Sequence, residues 1–192
     1  MKTIIGIIMR IEENKYYTKN EIINVLLKNN CLPISIYNKE GIDLCDGIII
    51  PGGDNITKHD LELIKYAYDK DIPTFGICLG MQEMGYLFNG KMNDISNYNH
   101  LKLNEKYVHK VHINKNSKLY EILNKEIIYV NSRHKDYLIS TDLNISGTSD
   151  VIESIEDKNK KFFIGVQWHP ESMIDYDIDS NKLFDYFIKI SS

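Results

Sequence analysis

The chain has few cysteines, no long apolar segment and no excess of positive charge. Its 192 residues contain three cysteines, an odd number without paired spacing, which argues against a disulfide framework and for a reducing compartment. No apolar run reaches the roughly 18 residues that a membrane span needs, and the N-terminus becomes polar too soon for a signal peptide. The formal net charge is -4, which argues against a nucleic-acid partner. We therefore expect a cytoplasmic protein that binds neither membrane nor nucleic acid.

Strand-like and helix-like patterns alternate in the first half of the chain. Largely apolar runs, typical of strands covered on both faces, occupy residues 4–8, 32–36, 48–50 and 72–77. The helical pattern after the first run begins with Thr18-Lys19-Asn20-Glu21, which has the composition of a capping box. Another helical pattern begins at Thr57. This alternation predicts a parallel sheet with right-handed crossovers.

The second half has a different pattern. Short strands are predicted at Val111-His112-Ile113 and at residues 127–130, and the turn residues 157–160 between two apolar runs indicate a hairpin. Residues 91–112 are otherwise polar, with weak periodicity. We see no repeat or linker, so we predict one three-layer α/β domain over residues 1–192. Its central sheet should be mostly parallel, with a short antiparallel extension in the C-terminal half.

Gly76-Ile77-Cys78-Leu79-Gly80 is the most informative segment. It joins a strand-like run to a helical pattern, so its glycines should permit a sharp turn that projects the Cys78 thiol into a cleft. The positive end of the following helix dipole favours a thiolate there. The alternative is a buried core cysteine, which the flanking glycines disfavour.

A second segment supplies the partners that such a thiol needs. Gln167-Trp168-His169-Pro170-Glu171 places an imidazole and a carboxylate two residues apart after another strand-like run. Cysteine, histidine and glutamate are the groups of a thiol acyl-transfer enzyme. Taken alone, His169 would be interpreted as an ordinary surface histidine. Together with Cys78 and Glu171 it predicts a catalytic triad.

Backbone amides should stabilise the oxyanion of such a reaction. The amide of Leu79 directly follows the nucleophile, and the amide of Gly53 is the predicted second donor because glycine allows close approach. Ligands bind beyond the carboxyl ends of parallel strands. Arg10, Gly52-Gly53 and Cys78 all follow predicted strand ends, so we expect one cleft to contain them.

Four motifs in fixed order carry a family resemblance: Pro51-Gly52-Gly53, the segment of residues 76–82, the segment of residues 130–134, and the segment of residues 167–171. The chain resembles the class I glutamine amidotransferases, and among them the free-standing γ-glutamyl hydrolases of the type that cleaves γ-glutamyl-γ-aminobutyrate. The resemblance implies a flavodoxin-like fold, no cofactor, and a γ-glutamyl thioester on Cys78. It also implies that the substrate-binding residues are Gly52, Gln82, Ser132, Arg133 and His134.

Arginine is scarce, since Arg10 and Arg133 are the two arginines among 23 basic residues. A guanidinium group binds a carboxylate or phosphate through two parallel hydrogen bonds, which lysine cannot do. We hypothesise that both bind an anion in the leaving portion of a small-molecule substrate; the alternative is coincidence or surface charge. γ-Glutamyl-γ-aminobutyrate would supply a carboxylate, and γ-glutamyl-CDP-amidate, from capsule biosynthesis, a phosphate.

Two other classes of function stay open. One is a glutaminase subunit that delivers ammonia to a separate synthase, and the other is a non-enzymatic or redox-sensing relative. The oligomeric state is open as well, with a homodimer as one option. Among the remaining histidines, His109 and His112 have the spacing of a metal-binding pair. No cysteine or carboxylate cluster completes such a site, so we predict solvent exposure and no bound metal; His59 and His100 likewise have no evident partner.

Overall fold

The computed structural model describes residues 2–94 and 100–192 of the chain. Its strands are β1 (Ile4–Ile8), β2 (Arg10–Glu12), β3 (Lys15–Tyr17), β4 (Leu32–Ile36), β5 (Gly47–Ile50), β6 (Thr74–Ile77), β7 (Lys91–Asp94), β8 (His109–Ile113), β9 (Ile127–Val130), β10 (Asp136–Ser140), β11 (Asn144–Thr148), β12 (Ile152–Glu156) and β13 (Phe163–Val166). Its helices are α1 (Asn20–Lys28), α2 (Lys39–Ile42), α3 (Lys58–Asp69), α4 (Leu79–Leu87), α5 (Lys118–Leu123) and α6 (Ile178–Ile190), with a 3₁₀ turn at Pro170–Ser172.

Nine strands form one central sheet in the order β4-β1-β5-β6-β13-β12-β11-β8-β9. The first five pair in parallel, and the remaining four continue the sheet in antiparallel fashion. The predicted α/β sheet with a parallel core and a C-terminal antiparallel extension is therefore confirmed. The predicted hairpin at residues 157–160 joins β12 to β13.

Helices cover both faces of this sheet, because its strands bury apolar side chains in both directions. Ile5 and Ile7 of β1 belong to one apolar core, to which α1, α5 and α6 contribute. Ile8 of the same strand belongs to the second core, to which α2, α3 and α4 contribute. The alternation along a single strand thus builds the predicted three layers.

Two helix starts can be compared with their sequence signals. The Thr57 hydroxyl oxygen accepts a hydrogen bond from the Asp60 amide at 3.0 Å, as an N-cap does. The prediction of a capping box that begins at Thr18 is wrong. The N-cap of α1 is Lys19, which makes no side-chain capping bond, and the Thr18 hydroxyl is buried without a hydrogen-bond partner among the described residues.

The polar region of residues 91–112 contains a strand at each end. β7 pairs with β10 in a small antiparallel sheet of its own, and β8, which includes the predicted Val111-His112-Ile113 strand, pairs with β9 and β11 in the central sheet. Residues 95–99 lie outside the described ranges, so the weak pattern there stays without a structural counterpart.

The described helices are short. The longest, α6, has 13 residues, and none of the helices in the described ranges is long and apolar enough to cross a bilayer.

Candidate active site

The predicted functional residues converge at one edge of the sheet. β1, β5, β6 and β13 run parallel, so their carboxyl ends share that edge, where ligands of α/β sheets bind. Arg10, Gly52, Cys78 and His169 each follow one of these ends within a few residues. The topology therefore brings together segments that are far apart in the chain.

Cys78 carries the backbone strain of the turn between β6 and α4. Its φ of 52° and ψ of -106° place it outside the regions that residues with a side chain prefer. The Cys78 amide donates to the Val166 carbonyl of β13 at 2.8 Å and so fixes the turn to the sheet. The flanking glycines have another role than predicted. No described glycine has positive φ, and a β-carbon at Gly80 would overlap the Ile50 carbonyl, so glycine is needed there for close packing.

His169 and Glu171 form a buried pair. The Nδ1 atom of His169 lies 2.7 Å from Oε1 of Glu171, and their side chains are 3% and 0% exposed. Asn131 fixes the backbone of this histidine, because its side chain accepts from the His169 amide and donates to the His169 carbonyl. The imidazole is thereby held in one orientation.

Charge inside the site favours an imidazolium at His169. Burial alone would lower the pKa of His169, but the charges of Glu171 and Cys78 and the hydrogen bonds to both outweigh it and raise the pKa to about 9. Burial opposes ionisation of Glu171 too, yet the facing His169 and, more weakly, Lys19 lower the pKa of its carboxyl. The arrangement therefore holds a proton on the imidazole next to an ionised carboxylate.

The sulfur of Cys78 faces polar groups, although the residue is only 7% exposed. The side-chain amide of Gln167 donates to Sγ at 3.6 Å, and the Cys78 side chain is one of the groups that raise the pKa of His169. A β-carbon placed on Gly52 would lie 3.1 Å from His169 Cε1 and 3.5 Å from Cys78 Cβ. A side chain at position 52 would therefore press on the imidazole where it lies close to Cys78.

A cleft of about 430 Å³ lies next to Leu79, the residue that follows Cys78. The residues that line it are Asp54, Asn55, Ile56, Leu79, Gln82, Met92, Asn93 and Asp136. The Gln82 side-chain amide donates to the Asp136 carbonyl at 2.8 Å and to Gln167 Oε1 at 3.1 Å. Neither the Gly53 nor the Leu79 amide takes part in the hydrogen bonds found between described residues, so both amides are available as donors.

Arg10 has a different environment from the one predicted. Its guanidinium group forms ion pairs with Asp60 at 2.8 Å and with Glu83 at 2.9 Å, and it also donates to the Pro51 and Gly52 carbonyls. Arg10 is only 4% exposed. The prediction that Arg10 binds a substrate anion is therefore wrong, because its donors already have acceptors within the protein. Arg10 instead holds the loop that carries Gly52 and Gly53.

The predicted substrate loop, Ser132-Arg133-His134, is mostly buried. Ser132 is fully buried and its hydroxyl contacts His100 Nδ1 at 3.1 Å. His134 is 4% exposed, and its Nδ1 atom donates to the Asp136 carbonyl at 3.1 Å. The Arg133 side chain donates to the Ser172 hydroxyl next to the triad, while its Nε atom has no partner among the described residues. Of these three residues, only Arg133 keeps both partial exposure and a free donor.

Several residues of the site were not assigned from sequence. Asn131 and Gln167 lie within the motifs noted in the sequence, but those motifs do not indicate which residues their side chains contact. Lys19 had no local signal. Its Nζ atom lies 3.4 Å from His169 Nδ1 and 3.9 Å from Glu171 Oε1, although 150 residues separate it from His169.

Comparison with known proteins agrees with this geometry. The family model "Glutamine amidotransferase class-I" matches residues 11–190. A Schizosaccharomyces pombe protein named as a glutamine amidotransferase is 32% identical, over 86% of this chain and 74% of that protein. The CTP synthase of Hydrogenobaculum sp. is 28% identical over 79% of this chain, which spans only 35% of that enzyme.

Solved structures with the same fold have more distant sequences. A protein from Thermoplasma acidophilum described as part of a GMP synthase superposes with a TM-score of 0.76 at 21% identity, over all of this chain and 94% of that one. The glutaminase domain of Trypanosoma brucei CTPS gives 0.73 at 18% identity, over 98% and 94%. The chain belongs to the class I glutamine amidotransferase family, whose domains cleave the amide of glutamine with a cysteine nucleophile.

Proposed function

We propose that this chain hydrolyses the γ-glutamyl amide bond of a small anionic conjugate and releases glutamate. The observation that carries the proposal is the proximity of Cys78 to the buried His169–Glu171 pair, with a cleft next to them that Leu79 and Gln82 help to line. γ-Glutamyl-γ-aminobutyrate and γ-glutamyl-CDP-amidate are the candidate substrates. Both consist of a glutamyl group joined through an amide-type bond to a portion that carries an anion.

The proposed reaction has two steps. Cys78 Sγ attacks the γ-carbonyl carbon, the C–N bond breaks, and His169 gives its proton to the departing nitrogen. A water molecule then attacks the thioester while His169 takes up its proton, which frees glutamate and restores the thiolate–imidazolium pair. Glu171 keeps the imidazole oriented and stabilises its charge in both steps. The Gly53 and Leu79 amides donate to the oxyanion of each tetrahedral intermediate.

The surroundings of the site suit the two ends of such a substrate. Asp54 and Asp136 line the cleft beside Gln82, and their carboxylates are complementary to the α-ammonium group of a glutamyl moiety. Arg133, with its unpartnered Nε atom, is the arginine that remains for the anion of the leaving portion, since Arg10 is neutralised by Asp60 and Glu83.

The second candidate is a glutaminase that supplies ammonia to a separate synthase. The similarity to CTP synthases favours it, because this chain matches about one third of such an enzyme. The two candidates share the same cleavage chemistry and differ in the leaving nitrogen.

Glutamate release from a panel of amides tests the proposal and separates the two candidates. The purified chain is incubated with glutamine, the two conjugates and a neutral γ-glutamyl anilide. Strong turnover of one conjugate with little turnover of glutamine supports the hydrolase. Preference for glutamine, with a rise on addition of a synthase, supports the second candidate. A lack of glutamate release from every amide would contradict both.

Replacing Arg133 with alanine tests the anion site in the same assay. We expect KM for the preferred anionic conjugate to rise about 10- to 100-fold, because a charge-assisted hydrogen bond contributes about 1.5–3 kcal/mol. KM for the neutral anilide should change little. Equal losses on both substrates would show that Arg133 contacts the glutamyl portion instead. Lys102→Ala serves as a control for the loss of a positive charge, because Lys102 lies in the segment that pairs with this loop.

The pH profile should have an alkaline limit set by His169. Since its pKa is raised to about 9, the protonated form needed by the leaving nitrogen is present below that value, and kcat/KM should fall as pH rises through about 9. Glu171→Gln removes a charge that raises this pKa, so the limit should move about 1–3 pH units lower. Asp175→Asn, which changes a largely exposed carboxylate nearby, should leave the limit in place. An unmoved limit in Glu171→Gln would exclude this role for the carboxylate.

A further inference from the structure

Four side chains that can bind a metal ion converge beside the catalytic loop segments. One ligand atom from each of His100, His109, His134 and Glu153 lies within 4.8 Å of the others. His109 belongs to β8, Glu153 to β12, and His134 to the connection between β9 and β10. Solvent exposure was predicted for His109 and His112; it is confirmed for His112 and wrong for His109, whose side chain is 18% exposed. His100, for which the sequence indicated no partner, is 4% exposed.

Three of these side chains bring an unsatisfied polar atom to the cluster. His109 Nε2, His134 Nε2 and Glu153 Oε2 are buried and have no hydrogen-bond partner among the described residues. His109 Nε2 lies 3.3 Å from Glu153 Oε1 but without the geometry of a hydrogen bond. An unsatisfied buried polar atom is costly, and one in each of three converging side chains indicates that a ligand completes the cluster.

The outer contacts of the cluster are those of a metal site. His109 Nδ1 lies 3.2 Å from the Lys110 carbonyl and His134 Nδ1 lies 3.1 Å from the Asp136 carbonyl. Since a carbonyl only accepts, both Nδ1 atoms carry the proton, which leaves Nε2 of each ring as a lone-pair donor. Metal-bound histidines are oriented by such contacts. The Ser149 hydroxyl donates to Glu153 Oε1 at 2.8 Å and fixes the carboxylate in the same way.

We propose that His100, His109, His134 and Glu153 bind one Zn²⁺ ion at a closed, four-ligand site. Three imidazole nitrogens and one carboxylate oxygen suit Zn²⁺. Four protein ligands leave no open position for a substrate, so the ion has a structural role. It ties β8 and β12 to the loop that carries Arg133.

Metal binding can be measured without reference to activity. Protein stripped with a chelator is titrated with Co²⁺ and then with Zn²⁺, in the Cys78→Ala background so that the catalytic thiol cannot contribute a ligand. We expect one equivalent of Co²⁺, visible absorption bands of a four-coordinate ion without thiolate charge transfer, and displacement by one equivalent of Zn²⁺. Zn²⁺ should also raise the Tm, because it binds only the folded chain.

Matched variants assign the ligands. His134→Ala and Glu153→Gln should each weaken Zn²⁺ binding more than about 100-fold, because loss of a mere supporting residue already weakens metal binding about 10- to 100-fold. His112→Ala is the control, since this histidine lies on the same strand as His109 but is exposed. Circular dichroism verifies folding, and Glu153→Gln, which preserves side-chain shape, decides the question if His134→Ala is unfolded.

Three results would overturn the proposal. They are the absence of stoichiometric binding to the parent protein, a six-coordinate Co²⁺ spectrum, and equal Zn²⁺ affinity in the parent and Glu153→Gln proteins. A loss of binding in His112→Ala as large as in His134→Ala would equally contradict the assignment. None of these results bears on amide hydrolysis, so the metal site and the proposed function are tested separately.

Discussion

Replacing Cys78 with glycine should abolish amide hydrolysis and at the same time make the fold more stable than the corresponding alanine variant. Loss of the nucleophile is expected to reduce kcat about 10⁴-fold or more. The backbone at position 78 has a φ of 52°, which glycine adopts without the steric cost that a β-carbon brings. We expect the free energy of unfolding of Cys78→Gly to be about 1 kcal/mol higher than that of Cys78→Ala, which corresponds to about 2–4 °C in Tm for a chain of this size.

The comparison of these two variants isolates the strain, because both lack the thiol and differ only in the β-carbon. Cys45→Ala is the control for activity. Burial raises the pKa of the Cys45 thiol to about 11, so this thiol stays protonated and unreactive, and its removal should leave kcat unchanged. If Cys78→Gly melts below Cys78→Ala, the turn is not strained at this residue.

The second large effect is expected at Arg10. Arg10→Met leaves Asp60 and Glu83 buried, with side chains 6% and 0% exposed, and without their cation. Breaking a buried ion pair in this way costs about 3–5 kcal/mol. The Pro51 and Gly52 carbonyls also lose their donor, so we expect kcat to fall on every amide substrate. Chemical denaturation and steady-state kinetics measure the two effects.

The dependence of stability on pH tests the same cluster of charges, in which the Arg10 guanidinium group faces the carboxylates of Asp60 and Glu83. Burial raises the pKa of Glu83, with Asp60 adding to the effect and Arg10 opposing it, to about 7, above its usual 4.5. The contribution of Glu83 to the free energy of unfolding is therefore fully present below about pH 4.5 and is lost as pH rises through about 7. Because Arg10 opposes the rise in this pKa, the loss of stability in Arg10→Met should continue to higher pH.

A triple variant separates the structural role of Arg10 from its positioning role. Arg10→Met combined with Asp60→Leu and Glu83→Met replaces the whole ionic cluster by apolar side chains, which is often neutral or stabilising. We expect recovery of stability without recovery of kcat, because the loop before Gly53 stays unanchored. Recovery of both would show that Arg10 affects catalysis only through stability. Lys65→Met, which breaks an exposed pair with Asp69, should change neither property appreciably.

Local signals in the sequence succeeded where a single segment contains all the information. The apolar runs predicted the parallel strands because strands buried on both faces must be apolar throughout. The helix predicted to begin at Thr57 is confirmed, and Thr57 caps it through a contact between residues only three positions apart. The signal at Thr18 failed because α1 begins with Lys19 as its N-cap, and a one-residue shift removes the hydroxyl from reach.

The arginines show the limit of such reasoning. Their scarcity suggested that both bind a substrate anion, yet only Arg133 keeps a free donor. The difference lies in Asp60 and Glu83, which approach Arg10 from α3 and α4. No property of the segment around Arg10 specifies these partners.

The sequence by itself determined the order of strands and helices, the family, and the segments that supply a thiol, an imidazole and a carboxylate. Each depends on side-chain pattern or spacing within a short stretch. Tertiary structure alone decided that Lys19 approaches the triad, that Arg10 is neutralised, and that His100, His109, His134 and Glu153 form one cluster. These contacts join residues far apart in the chain, and the packing of the central sheet, rather than any local preference, fixes the distances between them.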